Sequence, residues 1–97
     1  MPNGHAWTEG DEDLFTDLRE YDQTQAIAWC SQFIQPRKTE NRNYTSYGLK
    51  HLLEAQTKIY MTNNQFKDLM LCLGHKPVHQ RYLNWTFRIR IDKDARL

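Results

Sequence analysis

Thr62-Asn63-Asn64-Gln65-Phe66-Lys67-Asp68-Leu69-Met70-Leu71-Cys72-Leu73-Gly74 is the best-bounded stretch of the chain. Thr62 and Gln65 form a capping box: the threonine hydroxyl takes the N–H three residues on, and the glutamine reaches back. Phe66, Leu69, Met70 and Leu73 then recur at i, i+3, i+4 and i+7, one face of a helix. Gly74 stands where a left-handed residue closes a helix, and Pro77 forbids continuation. The spacing predicts a helix over 62–73, with Lys67 and Asp68 near its outer face.

Downstream, Asn84 to Ile91 alternates strictly. Trp85, Phe87, Ile89 and Ile91 share one face; Thr86, Arg88 and Arg90 share the other. The natural partner is a strand over Lys76 to Tyr82, turning near Leu83-Asn84. No Asn-Gly or Asp-Gly pair fixes that turn, so the register stays open. His79 and Arg81 would stand beside Arg88 and Arg90. Upstream, Thr45 or Ser46 caps a helix over 46–55, with Tyr47, Leu49, Leu52 and Leu53 on its apolar face. Lys50 and His51 lie on or near its polar side. Gly48 costs about 1 kcal/mol against alanine in such a helix. A glycine there suits close approach by a backbone or ligand, or simply a helix crossing. The link Lys58-Ile59-Tyr60-Met61 is short and β-leaning.

Ahead of this core, residues 1–10 show no periodicity and read as loosely attached, with Trp7 packing back on the fold. Asp11 to Tyr21 reads as a first helix, its early acids matching the positive helix N-terminus. Leu14, Leu18 and Tyr21 form its stripe. Gln23 to Ile34 reads as a second helix. Its stripes are Ile27, Cys30, Ile34 and, beside them, Ala26, Trp29, Phe33. No Gly or Pro separates the two, and one bent helix fits as well. Pro36 ends the element. Pro36 to Tyr44 is then a polar connector, either a solvated loop or a phosphate- or partner-contacting arm.

Ninety-seven residues suit one domain with a modest core, and 39% hydrophobic with 26% charged residues is a globular balance. No run reaches the roughly 18 apolar residues of a membrane span, and no signal peptide is visible. Cys30 and Cys72 fit free, buried thiols of a reducing compartment, with a disulfide as the alternative. Net charge is +1 but unevenly placed. Residues 1–22 hold seven acids against Arg19, a net of −6; residues 23–97 hold twelve Lys/Arg against five acids, a net of +7. A basic body with an acidic leading segment fits either an ordinary solvated surface or an anion-binding body shielded or tuned by its own acidic arm.

Reactive chemistry is not indicated. Cys72-x2-His75-x3-His79, with His51 as a fourth donor, does not match the paired spacing of zinc sites, so no metal is expected. Ser46 and His51 are five apart on one helix and do not face each other. No phosphate loop, G-x-S-x-G or H-E-x-x-H is present. These features imply a non-enzymatic protein without a cofactor.

Two resemblances give this reading a setting. Arg37-Lys38-Thr39, Asn41-Arg42 and Thr45-Ser46-Tyr47-Gly48-Leu49-Lys50-His51, followed by Met61 to Phe66 and Gly74, resemble small proteins of bacterial phages and other mobile elements. The helix–link–helix–hairpin order is similar to winged-helix modules of DNA-binding and phage replication proteins. Together they imply an α+β fold, with N-terminal helices followed by a winged-helix-like core over 44–91. They also imply a place in the cytoplasm of a bacterial host and a role in binding nucleic acid or a protein–nucleic acid complex. A winged helix would present Asn63, Asn64 and Lys67 from its second core helix. The wing would add Arg81, Arg88 and Arg90, and the connector Arg37, Lys38 and Arg42. The alternative is a protein-binding inhibitor of host defence, of the anti-CRISPR kind, with Tyr44, Tyr60, Tyr82 or Trp85 as anchors, although the alternation favours core packing for Trp85. Oligomeric state and target are not readable from the residues.

Overall fold

The computed structural model describes residues 14–95. Helix α1 (Glu20–Phe33) runs into strand β1 (Ile34–Asn41). Helices α2 (Ser46–Thr57) and α3 (Asn63–Cys72) follow, then strand β2 (Phe87–Ile91). Short 3-10 turns lie at Phe15–Asp17 and Lys93–Ala95. Among the described residues, three α-helices and a two-stranded antiparallel sheet make an α+β fold.

The ends of α3 follow from its caps. The Gln65 N–H donates to Thr62 Oγ1 at 3.1 Å, and the Thr62 N–H donates to Gln65 Oε1 at 3.0 Å. At the far end Gly74 adopts φ +90°; its N–H reaches Leu71 O and the His75 N–H reaches Met70 O. These two bonds are the Schellman closure. The start of α2 is fixed by Thr45, whose Oγ1 accepts the Gly48 N–H at 3.3 Å. Gly48 has open surroundings: an added Cβ would meet nothing nearer than Thr45 Oγ1, at 3.9 Å. No close backbone approach explains that glycine.

β1 corrects the reading of the connector. The strand takes in Ile34, the last residue of the expected second helix, and the first part of the expected connector, and it pairs with β2: Ile34 opposite Ile91, Gln35 opposite Arg90, Pro36 opposite Ile89 and Asn41 opposite Phe87. The Asp92 N–H donates to Phe33 O at 2.8 Å. Pairs alternate between bonded and non-bonded along an antiparallel ladder, so Pro36 falls at a non-bonded position. Its missing N–H costs the ladder nothing, and Pro36 does not end the extended run. Beyond it, residues 37–40 face Arg88 alone before Asn41 pairs with Phe87. This bulge is closed by Arg37, whose Nε donates to Thr39 O at 2.9 Å and Nη2 to Glu40 O at 2.8 Å. Buried Asn41 anchors it through Nδ2 to Ile89 O at 3.2 Å.

The expected hairpin is correspondingly reduced. Lys76–Tyr82 forms no strand; it contributes the single bridge Pro77–Phe87 and one bond, Val78 N–H to Thr86 O. The link 58–61 is not a strand either. Lys58 instead caps α2 in the left-handed region, φ 66°, and Ile59 and Met61 turn into the core.

The N-terminal reading divides between described and undescribed residues. Whether residues 1–10 are loosely attached, and whether Trp7 packs back, lies outside the described residues, as does the start of the helix expected from Asp11. In the described part that helix is replaced by the turn Phe15–Asp17 and an extended break at Leu18 and Arg19. Side chains stabilise the break. Asp17 accepts the Leu14 N–H, Asp68 of α3 accepts the Phe15 N–H at 2.9 Å, and Gln23 Nε2 donates to Leu18 O at 2.6 Å. The second expected helix starts earlier, at Glu20, and buries Ala26, Trp29 and Cys30 while Ile27 stays exposed.

α3 is the centre of the core. Phe66, Leu69 and Met70 are buried with Leu49 and Leu53 of α2, Trp29 of α1, and Trp85, Phe87 and Ile89. The turn Phe15–Asp17 also packs against α3. The alternation expected over 85–91 is present: Trp85, Phe87, Ile89 and Ile91 are buried, Arg88 and Arg90 exposed. Ser46 ties this strand to α2, its N–H donating to Trp85 O and its Oγ accepting the Trp85 N–H.

Candidate binding face

The nine expected contact residues separate into two groups. Arg37, Lys38, Arg42, Arg81, Arg88 and Arg90 are exposed. Asn64 and Lys67 are buried, at 1% and 0% exposure, and Asn63 is half-buried. The helix expected to present Asn63, Asn64, Lys67 and Asp68 therefore faces the protein's own interior. Asn63 Nδ2 donates to Leu83 O at 3.2 Å and Asn84 Oδ1 at 3.0 Å, tying the start of α3 to the loop before β2. Asp68 is engaged by Phe15. The Lys67 ammonium lies 4.9 Å from the centroid of the Trp85 ring, and burial pushes its pKa down to about 8.

The exposed group surrounds the outer face of the ribbon. Thr86, just ahead of β2, and Arg88 and Arg90 within it alternate on that face. Arg88 lines a hollow of about 220 Å³ with Pro36, Gly74, His75 and Lys76. Thr86, one step along the same face, lines a second of about 350 Å³ with Glu40, Arg42, His79 and Tyr82. His79 and Tyr82 continue into a third, of about 650 Å³, that includes Arg81. Lys38 projects from the bulge and is exposed.

Glu40 is the acid in these hollows, and it is committed locally. Its Oε2 accepts from the Thr86 hydroxyl at 2.5 Å and its Oε1 from Arg42 Nε at 3.2 Å. The Thr86 hydrogen bond, with Arg42 adding to it, holds this carboxyl below its usual range. Glu40 therefore offsets Arg42 while Lys76, Arg81, Arg88, Arg90 and Lys38 form no ion pair among the described residues. Burial lowers the pKa of His75, so its imidazole adds no charge to this face at neutral pH.

A second cluster lies on α2. Lys50 is 5% exposed, yet its ammonium sits 5.2 Å from the Tyr47 ring centroid and 4.9 Å from that of Tyr60. Both tyrosines are more than half exposed. The Tyr-x-x-Lys spacing of the helix was visible in the sequence, but the approach of Tyr60 depends on the turn at Lys58.

Reactive groups are not gathered. Among the described residues no group of three or more His, Cys, Asp or Glu could hold a metal ion. Cys30 is buried and Cys72 exposed, both as free thiols, so the expectation of two buried thiols holds for Cys30 only. Burial pushes Cys30 up to about 12, and burial with the charge of Asp68 raises Cys72. No described helix is long and apolar enough to cross a membrane.

No protein-family model, curated protein or solved structure matches the chain.

Proposed function

We propose that this protein is a non-enzymatic binding module of phage or mobile-element type that engages nucleic acid, alone or within a protein–nucleic acid complex, through the outer face of the β1–β2 ribbon. The observation that carries the reading is the gathering of exposed Lys38, Lys76, Arg81, Arg88 and Arg90 around one ribbon, where the acid, Glu40, is already held by Thr86 and Arg42. A two-stranded ribbon fits the major groove of duplex DNA, and backbone phosphates supply most of the affinity of such contacts. In this reading the fold is winged-helix-like: α2, α3 and β2 keep the helix–helix–strand order, and the loop 78–86 is the wing. α3 is its structural centre and not its reading element. The module acts in the cytoplasm of a bacterial host.

A second reading, a protein-directed inhibitor of host defence, is favoured by Tyr82 and Leu83, which are 62% and 50% exposed at the tip of the same loop. Aromatic anchors beside arginines are typical of protein hot spots. A pull-down from bacterial lysate with and without nuclease tests the choice. Recovered nucleic acid that disappears on nuclease treatment, with no stoichiometric protein, supports the first reading. A stoichiometric protein that survives nuclease overturns it in favour of the second.

A further inference from the structure

We infer that Tyr47, Lys50 and Tyr60 form a second contact site, one that takes an unpaired base with its phosphate from single-stranded nucleic acid. The inference rests on the nucleic-acid reading above and adds a strand preference to it.

Lys50 is the unusual residue. Its side chain is almost wholly buried, but among the described residues its ammonium makes no hydrogen bond and no ion pair. The carboxylate nearby, Glu54, approaches His51 at 3.8 Å instead. An ammonium has three donors; the two flanking rings meet it only through their faces, and its nitrogen, unlike most of the side chain, still reaches solvent, where an anion can accept from it. The rings themselves are 52% and 60% exposed, so each offers surface beyond what Lys50 covers. His51 packs edge-on to Tyr47, with ring centroids 4.5 Å apart, and holds that ring in place on α2.

This combination selects a ligand class. A free anion needs no aromatic flanks, and an acidic peptide offers no flat surface to stack. An unstacked nucleotide supplies both a planar base for a tyrosine ring and a phosphate for the ammonium between the rings. Sequence-tolerant single-strand binders use this pairing of stacking with positive charge. A base-paired duplex keeps its bases stacked and cannot use the rings.

The test is fluorescence anisotropy with labelled oligothymidylate and a labelled duplex of equal length. The expected result is tighter binding of the single strand by the wild type. Tyr60→Ala should weaken single-strand binding roughly five- to a hundred-fold, the range seen for loss of one stacked base, and leave duplex binding unchanged. Tyr60 is exposed, so the substitution removes little packing; Lys50→Met keeps the buried stem and should act in the same direction. Circular dichroism melts confirm that both variants fold. If the wild type binds neither oligonucleotide, this inference and the nucleic-acid reading fail together. If binding depends on Arg88 and Arg90 but is indifferent to Tyr60→Ala and Lys50→Met, or favours the duplex, only the second site is overturned.

Discussion

Lys67 in α3 and Arg88 in β2 are both cations expected on an outer face, yet Lys67 is fully buried and Arg88 is exposed. The difference lies in how each element is surrounded. α3 is covered by α2, by the turn Phe15–Asp17 and by the buried face of β2, so even its polar positions turn inward. The ribbon has one face on the core and one on solvent, and its period of two sends Arg88 and Arg90 outward. Charge type alone therefore does not say whether a side chain is free to make contacts. The number of layers packed on its element decides that.

Substitutions in the two regions should separate sharply. Trp85→Ala or Phe66→Ala removes a fully buried ring beside α3 and should cost about 3–5 kcal/mol, read from urea unfolding. Lys67→Met should reveal a pH dependence. With the folded pKa near 8 against the ordinary 10.5, the unfolded chain holds this proton more tightly. The wild type therefore gains stability as pH rises from about 8 to 10.5, and the variant lacks that gain. The stability difference between them should move toward the wild type by on the order of 1 kcal/mol between pH 7 and pH 10. Equal pH profiles would break the assignment of Lys67 as a desolvated ammonium. Thr62→Ala, which removes the α3 cap, should cost about 1 kcal/mol. Arg88→Ser with Arg90→Ser should change stability least, within about 0.5 kcal/mol for each exposed position.

The same contrast explains what could be read from the sequence. Local signals were sufficient where the partner is a few residues away. The Thr62–Gln65 box, the Gly74 closure, the Thr45 cap and the 85–91 alternation all appear at the expected positions. Long-range pairing was not legible. The union of β1 with β2 crosses two helices; the helix ends ahead of Pro36 as expected, but that the chain continues as a strand in which the proline N–H is not needed is visible only in the ladder's register. The break at Leu18 depends on Gln23 and Asp68, one of them fifty residues away. Six of the nine expected contact residues are exposed because ribbon and loop positions follow local rules. Asn64 and Lys67 are buried because a helix pattern does not say how many neighbours cover its polar side.

The central claim is that the ribbon face, and not α3, contacts phosphate. Its most direct test is the salt dependence of duplex binding for the wild type and the Arg88→Ser, Arg90→Ser double variant. Each lost phosphate contact should flatten the plot of log K against log salt by about 0.9, so the double variant's slope should be shallower by about 2, with weaker affinity at low salt. Identical slopes and affinities for the two proteins would contradict the claim.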